Sequence, residues 1–155
     1  MDAILFSANS DIVDVRDAIE HLKSNEQLYW EVGFNINPDR FPKFPIDGYI
    51  HVTGSKVKDK KVKYRVKIIE IIPFCRDNYE DRNVANRVKP ERWRYEWRMN
   101  INNIRDPHKW KNSFIITNIE RFDYDTLKFR QQKKYGVNVK HPPQNYIRVL
   151  PPEKL

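Results

Sequence analysis

Residues 49–74 read YIHVTGSKVKDKKVKYRVKIIEIIPF, and this stretch predicts a β-hairpin. Its first strand covers residues 49–53, and a lysine-rich turn surrounds Asp59. Its second strand covers residues 62–72, where apolar residues first alternate with basic ones and then form a continuous run. Pro73 ends this strand, because proline has no N–H group to donate to a neighbouring strand.

Three segments are predicted before the hairpin. Residues 3–6 (AILF) form a short apolar run that is typical of a buried strand. Apolar residues at helical spacing predict a helix over 11–24, with Ser10 or Asp11 as its N-cap. Three prolines in residues 38–45 predict an irregular loop.

The segments after the hairpin are mostly extended. Residues 93–101 alternate between apolar and polar over nine positions, which indicates a strand. Residues 113–117 suit either a buried strand or a short helix. A helix is predicted over 123–132 with Phe129 facing inward, and a last strand over 146–150.

These elements predict the α+β class, specifically a small mixed β-barrel with flanking helices. A length of 155 residues fits one domain, residues 1–155. The last five residues, PPEKL, resemble the start of a linker, so the chain is either a whole protein or the N-terminal module of a larger one.

The charge balance indicates the class of partner. Lys and Arg number 29 against 21 Asp and Glu, a net charge of +8. Such a surplus favours nucleic acid, because neutralised phosphates release their condensed counterions. The alternative is a domain that is merely basic.

The residues that catalysis requires are scarce. Cys75 is the single cysteine, so it can form no internal disulfide, and the four histidines lack the short spacings of zinc ligands. Acidic residues lie among basic ones and are typical of solvated loops. We therefore expect no catalytic residue, no metal site and no cofactor. No signal peptide and no apolar run of about 18 residues is present, which predicts a cytoplasmic protein.

A cluster of basic residues on and beside the hairpin is the first candidate site. Lys63 and Arg65 share one strand face with Lys67, in a row suited to a phosphate backbone. The alternative is an edge strand that lysines protect from aggregation. The candidate phosphate-binding residues are Lys56, Lys58, Lys60, Lys61, Lys63, Arg65, Arg94 and Arg98.

The second candidate site is the aromatic strand. Trp93, Tyr95 and Trp97 alternate with Arg94 and Arg98, a pattern that supplies base stacking together with phosphate pairing. The alternative is that these rings belong to the core.

The first half of the chain resembles the PUA-like superfamily, in particular its EVE and YTH branches. The matching segments, in order, are residues 4–9, Tyr29-Trp30, residues 47–55 and residues 64–72. A similar domain lies at the N-terminus of archaeal McrBC-type restriction ATPases, where it reads modified DNA.

The resemblance implies a pocket for a flipped, methylated base, with DNA favoured over RNA and with other parts of a restriction complex as partners. The polar residues it implies for the base pocket are Ser7, Asn9 and Ser10, of which Asn9 and Ser10 read the base edge. The implied stacking walls are Trp30 and Trp97, with Trp93 in reserve. Two other functions stay open: an RNA-binding module without modified-base specificity, and a protein-interaction domain.

Overall fold

A computed structural model describes residues 3–10, 14–32, 34, 36–58, 61–73, 112–130 and 146–154. The elements in these ranges are β1 (Ala3–Asn9), α1 (Val15–Leu22), β2 (Leu28–Val32), β3 (Ile46–Thr53), β4 (Lys61–Pro73), β5 (Asn112–Asp125), α2 (Thr126–Arg130) and β6 (Ile147–Val149). Two 3₁₀ turns, Pro38–Arg40 and Pro152–Lys154, accompany them. No helix in the described part is long and apolar enough to span a membrane.

The strands form a six-stranded mixed sheet in the order β2-β5-β4-β3-β1-β6. Strands β1 and β3 are parallel, with Ile4 opposite Gly48 and Asn9 opposite Thr53, whereas the other described pairs are antiparallel. The carboxyl ends of β1 and β3 therefore lie side by side at one edge of the sheet. Loops that follow parallel strands at such an edge commonly form binding sites.

The larger core packs on one face of the sheet around Phe6, which is fully buried. The Phe6 ring meets Trp30 edge-on, with centroids 6.1 Å apart, and Phe114 with centroids 5.4 Å apart. Gly48 makes room for this packing, because a Cβ there would lie 2.8 Å from Cγ2 of Val66 and 3.2 Å from Phe6. This close contact fixes the position of the Phe6 ring against the neighbouring strand.

A smaller core covers the opposite face. Leu5 and Tyr49 are fully buried there against Phe129 of α2, whose inward position confirms the prediction. The ring of Tyr49 lies 4.8 Å from that of Phe129, and burial raises the pKa of the tyrosine hydroxyl above its ordinary value. Both faces of the sheet are thus covered near its centre, as expected for an α+β domain.

The predicted hairpin is confirmed as β3 and β4. The first helix is present, but both predicted N-caps are wrong. Asp14 caps α1, its Oδ1 accepting from the backbone N–H of Arg16 at 2.9 Å. Ser10 instead continues the β1 path, where its N–H donates to the carbonyl of Thr53 at 2.7 Å. Because this bond holds Ser10 to the neighbouring strand end, the helix begins later.

The prediction of a helix from residue 123 is wrong at its start. Strand β5 continues to Asp125, and Tyr124 pairs with Val62 on β4. This pairing joins residues distant in sequence, which outweighs the local preference that predicted a helix. Residues 113–117 form the strand alternative, within β5.

Pro151 and Glu153 pack on the domain, and the predicted linker stays a prediction. Pro151 is buried, and Glu153 accepts a hydrogen bond from Arg65 at 2.6 Å. The predicted strand over 93–101 lies outside the described residues. Closure of the sheet into a barrel stays a prediction.

Candidate nucleic-acid interface

A cavity of about 390 Å³ opens where β1 and β3 end, and we call it the β1–β3 cleft. Three valines supply its apolar surface: Val15 at the start of α1, Val52 on β3 and Val57 in the loop after β3. Ser10 lines it from the end of β1, and Tyr64 from β4. The volume falls in the range of about 300–1,000 Å³ that is usual for ligand pockets.

A tight turn after β3 shapes one side of the cleft. The N–H of Val57 donates to the carbonyl of Gly54 at 3.2 Å, which closes the turn. Gly54 has φ +142°, a conformation that L side chains rarely adopt. A Cβ on Gly54 would lie 2.2 Å from Oγ of Ser10, so only glycine fits against the end of β1.

Replacing Gly54 with alanine is expected to lower the free energy of unfolding by about 2 kcal/mol, because the backbone conformation is strained for any residue with a Cβ. The clash with Ser10 adds to this strain. Urea unfolding followed by tryptophan fluorescence measures the change. The double variant Ser10→Ala/Gly54→Ala removes the clash with Oγ and keeps the strain, so it should recover only part of the loss. Full stability in Gly54→Ala would contradict the described turn.

Tyr64 and Arg121 form a cation–aromatic pair beside the cleft. The two residues are opposite each other on β4 and β5, and Cζ of Arg121 lies 5.5 Å from the centre of the Tyr64 ring. The guanidinium also binds Asp123 at 3.1 Å, and this hydrogen bond holds the pKa of the carboxyl below its ordinary value. A tyrosine ring beside a guanidinium is suited to stacking a base next to a phosphate.

Two further cations lie on the cleft itself. Lys56 is exposed on the loop after β3, and the Arg16 side chain, 83% exposed, follows the N-cap of α1. Arg16 binds Asp14 at 2.9 Å, and this hydrogen bond raises the pKa of the guanidinium. Exposed ion pairs of this kind contribute only about 0–1 kcal/mol, so a phosphate can compete for the arginine.

The polar residues predicted for the base pocket separate in the structure. Ser10 lines the cleft. Asn9 is exposed beside it, with Oδ1 3.5 Å from the position of a Cβ on Gly54. Ser7 lies opposite His51 within the sheet, and its Oγ is buried without a hydrogen-bond partner among the described residues.

The predicted stacking walls are not at the cleft in the described part of the chain. Trp30 is 4% exposed and packs in the larger core, and it is not among the residues that line the β1–β3 cleft. This placement matches the ordinary role of a buried indole. Trp93 and Trp97 lie outside the described residues, as do the predicted phosphate-binding residues Lys60, Arg94 and Arg98.

The predicted basic row on β4 is interrupted. Ile50 pairs with Tyr64 and His51 pairs with Val62, so Lys63 is an extra residue in a β-bulge. A bulge locally changes the alternation of side chains along a strand.

Arg65 is also engaged within the domain. It binds Asp47 at 2.8 Å and Glu153 at 2.6 Å, and its side chain is 25% exposed. Burial lowers its pKa, but the two carboxylates outweigh that effect and raise it. Of the other predicted cations, Lys56, Lys58 and Lys61 are exposed around the hairpin turn.

Sequence reasoning missed Arg16, Tyr64 and Arg121 as parts of this site. Arg16 and Tyr64 were assigned only to a helix and a hairpin strand, and Arg121 stood in a segment with no predicted element. The signal available for Arg121 was the alternating pattern of residues 118–125 (NIERFDYD), which β5 continues. The described residues contain no cluster of three or more His, Cys, Asp or Glu that could hold a metal ion.

The described fold is similar to that of solved ASCH structures. The chain is similar in structure to ASCH from Zymomonas mobilis, with 14% identity and a TM-score of 0.50 over 98% of this chain and 90% of that chain. A tyrosine-to-phenylalanine variant of that protein gives 14% identity and a TM-score of 0.51 over 98% and 92%. A serine-to-alanine variant of the same protein gives 14% identity and a TM-score of 0.52, over 98% of this chain and 90% of that chain.

No protein-family model matches the sequence, and no curated protein matches it. The likeness to the solved structures shows the fold.

Proposed function

We propose that this domain binds nucleic acid and that the β1–β3 cleft holds a flipped base. The observation that carries the proposal is a cleft with apolar walls and a tyrosine, with Arg16, Lys56 and Arg121 around it. Apolar walls accept the faces of a base, and the cations accept the flanking phosphates. The PUA-like fold supports the proposal, because this superfamily includes nucleic-acid-binding domains.

A methylated base in DNA is the ligand we favour. Moving a methyl group from water to an apolar surface lowers the free energy of binding. Val15, Val52 and Val57 provide such a surface. Flipping costs a few kcal/mol of unstacking, which stacking against Tyr64 and the phosphate contacts would offset. In this proposal the domain acts as the recognition part of a cytoplasmic, modification-dependent restriction system and is not itself an enzyme.

Fluorescence anisotropy with matched DNA duplexes tests the proposal. One duplex carries N6-methyladenine, one carries 5-methylcytosine and one is unmodified, and each is titrated over a series of salt concentrations. We expect one modified duplex to bind more tightly than its unmodified counterpart. Lys56→Ala should lower the slope of log affinity against log salt by about 0.9, the value for one lost phosphate contact on B-DNA.

The matched control is Lys23→Ala. Lys23 is exposed and lies just after α1, at the opposite end of the helix from Arg16. It should leave both affinity and salt slope unchanged. Equal binding to all duplexes would remove the modified-base part, and tighter binding to single-stranded RNA would favour the RNA-binding alternative. Failure to bind any nucleic acid would refute the proposal and favour a protein partner.

A further inference from the structure

A second cavity, of about 440 Å³, lies away from the β1–β3 cleft. It is bounded by the proline-rich loop, the start of β3, Arg65 of β4, Arg148 of β6 and the C-terminal turn. Ile46 lines it at the start of β3, whereas Val52 lines the cleft six residues later on the same strand. At the rise of an extended strand this separates the two lining residues by about 20 Å. We call this second cavity the proline-loop cavity.

We propose that the proline-loop cavity binds a nucleoside monophosphate, either as the free nucleotide or as the 5′-phosphorylated end of a strand. The shared chemistry of these ligands is a flat aromatic base joined to a terminal phosphate. The cavity offers a flat wall, a rigid apolar lining and a surplus of positive charge.

The flat wall is the guanidinium of Arg148. Its Cζ lies 5.5 Å from the centre of the Phe41 ring, and both residues line the cavity. Phe41 is 5% exposed and belongs to the larger core, so it supports the guanidinium and is not itself the stacking surface. A guanidinium is planar and stacks on aromatic rings, which suits a nucleobase.

The apolar lining is rigid before any ligand arrives. Three prolines, Pro42, Pro45 and Pro151, line the cavity together with Ile46. The pyrrolidine ring fixes one backbone torsion, so these segments lose little conformational freedom when a ligand binds. A volume of about 440 Å³ is within the usual range for small-molecule sites.

The charges of the cavity favour an anion. Lys43, Arg65 and Arg148 face two carboxylates, those of Asp47 and Glu153. Both carboxylates bind Arg65, at 2.8 and 2.6 Å. Lys43 is exposed at the cavity and makes no ion pair with a described residue, so it is the cation assigned to the phosphate.

Isothermal titration calorimetry with AMP, adenosine and inorganic phosphate tests this proposal. AMP should bind more tightly than adenosine, and inorganic phosphate at the AMP concentration should not compete. Lys43→Ala should weaken AMP by about tenfold, because one charged contact to the phosphate is lost, and leave adenosine unchanged. Arg148→Lys keeps the charge but loses the plane, and it should weaken both ligands by about tenfold.

Two controls make the result decisive. Lys56→Ala alters only the β1–β3 cleft, so it should leave AMP affinity intact even if the proposed nucleic-acid function is wrong. Thermal melting followed by circular dichroism tests whether each variant is folded. Binding of a 5′-phosphorylated tetranucleotide but not of AMP, with loss in Lys43→Ala, would identify the strand end as the ligand. The proposal would be overturned if neither AMP nor the tetranucleotide bound. It would also be overturned if AMP bound but only Lys56→Ala abolished that binding.

Discussion

Reversing the charge of both Arg16 and Lys56 is expected to weaken nucleic-acid binding by roughly 100-fold near physiological salt. Both residues line the β1–β3 cleft. In the proposed function each makes one charged contact with a phosphate, and two contacts at about tenfold each correspond to about a hundredfold. The double variant Arg16→Glu/Lys56→Glu also repels phosphate, which makes the loss greater at low salt than at high salt. Fluorescence anisotropy with one DNA duplex at two salt concentrations measures both effects.

The double variant should remain folded. Arg16 is 83% exposed and Lys56 is exposed, so neither packs in a core. A glutamate at position 16 lies in the first turn of α1, where the helix dipole favours a negative charge. Retained helix and strand signals in circular dichroism would verify the fold.

The matched control for this variant is Lys23→Glu/Lys128→Glu. It changes the net charge by the same amount at two exposed positions away from the cleft. If both double variants lost affinity equally, the total charge of the domain would account for binding, and the cleft would have no special role. A loss confined to the Arg16/Lys56 pair would assign the phosphate contacts to the cleft.

Replacing Phe6 with alanine is expected to lower the free energy of unfolding by about 3–5 kcal/mol, the usual cost of deleting a buried phenyl ring. Phe6 is fully buried on β1 and contacts the rings of both Trp30 and Phe114. Its side chain also packs over Gly48 on the parallel neighbour β3, so a cavity there would loosen the strand pair that forms the cleft. Urea unfolding followed by tryptophan fluorescence gives the change.

Two comparisons limit the interpretation of that result. Phe6→Leu keeps most of the buried volume and should cost less than the alanine variant. Phe44, which is 37% exposed, should tolerate alanine with a loss below about 1 kcal/mol. A loss in Phe6→Ala no larger than that in Phe44→Ala would show that the aromatic cluster around Phe6 does not stabilise the fold.

The fold could be predicted where one segment carries its own pattern. Alternating residues on β4 and the turn before them were enough for the hairpin, because both strands of a hairpin are close in sequence. The apolar first part of the long strand β5 was compatible with either a strand or a short helix, and its pairing decides for the strand. Its second part, with Glu120, Arg121 and Asp123 exposed, gains its strand form by pairing with β4.

The candidate site was predictable only in part for the same reason. Ser10 and Lys56 follow strand ends, and polar residues at strand ends are visible in a sequence. Tyr64 and Arg121 become a pair only because β4 and β5 lie in register. The resemblance implied Trp30 as a stacking wall, but the assembled sheet places it in the larger core with 4% exposure.

The sequence by itself determined the basic charge, the mixed class with strands in the majority, and the β3–β4 hairpin, since these depend on composition and local periodicity. The tertiary structure decided which cations face a cleft and which are neutralised within the domain. Arg65 shows the difference, because it stands among lysines in the sequence yet binds Asp47, 18 residues earlier, and Glu153, 88 residues later. Contacts between residues so far apart arise only when the sheet is assembled, and no local pattern of residues encodes them.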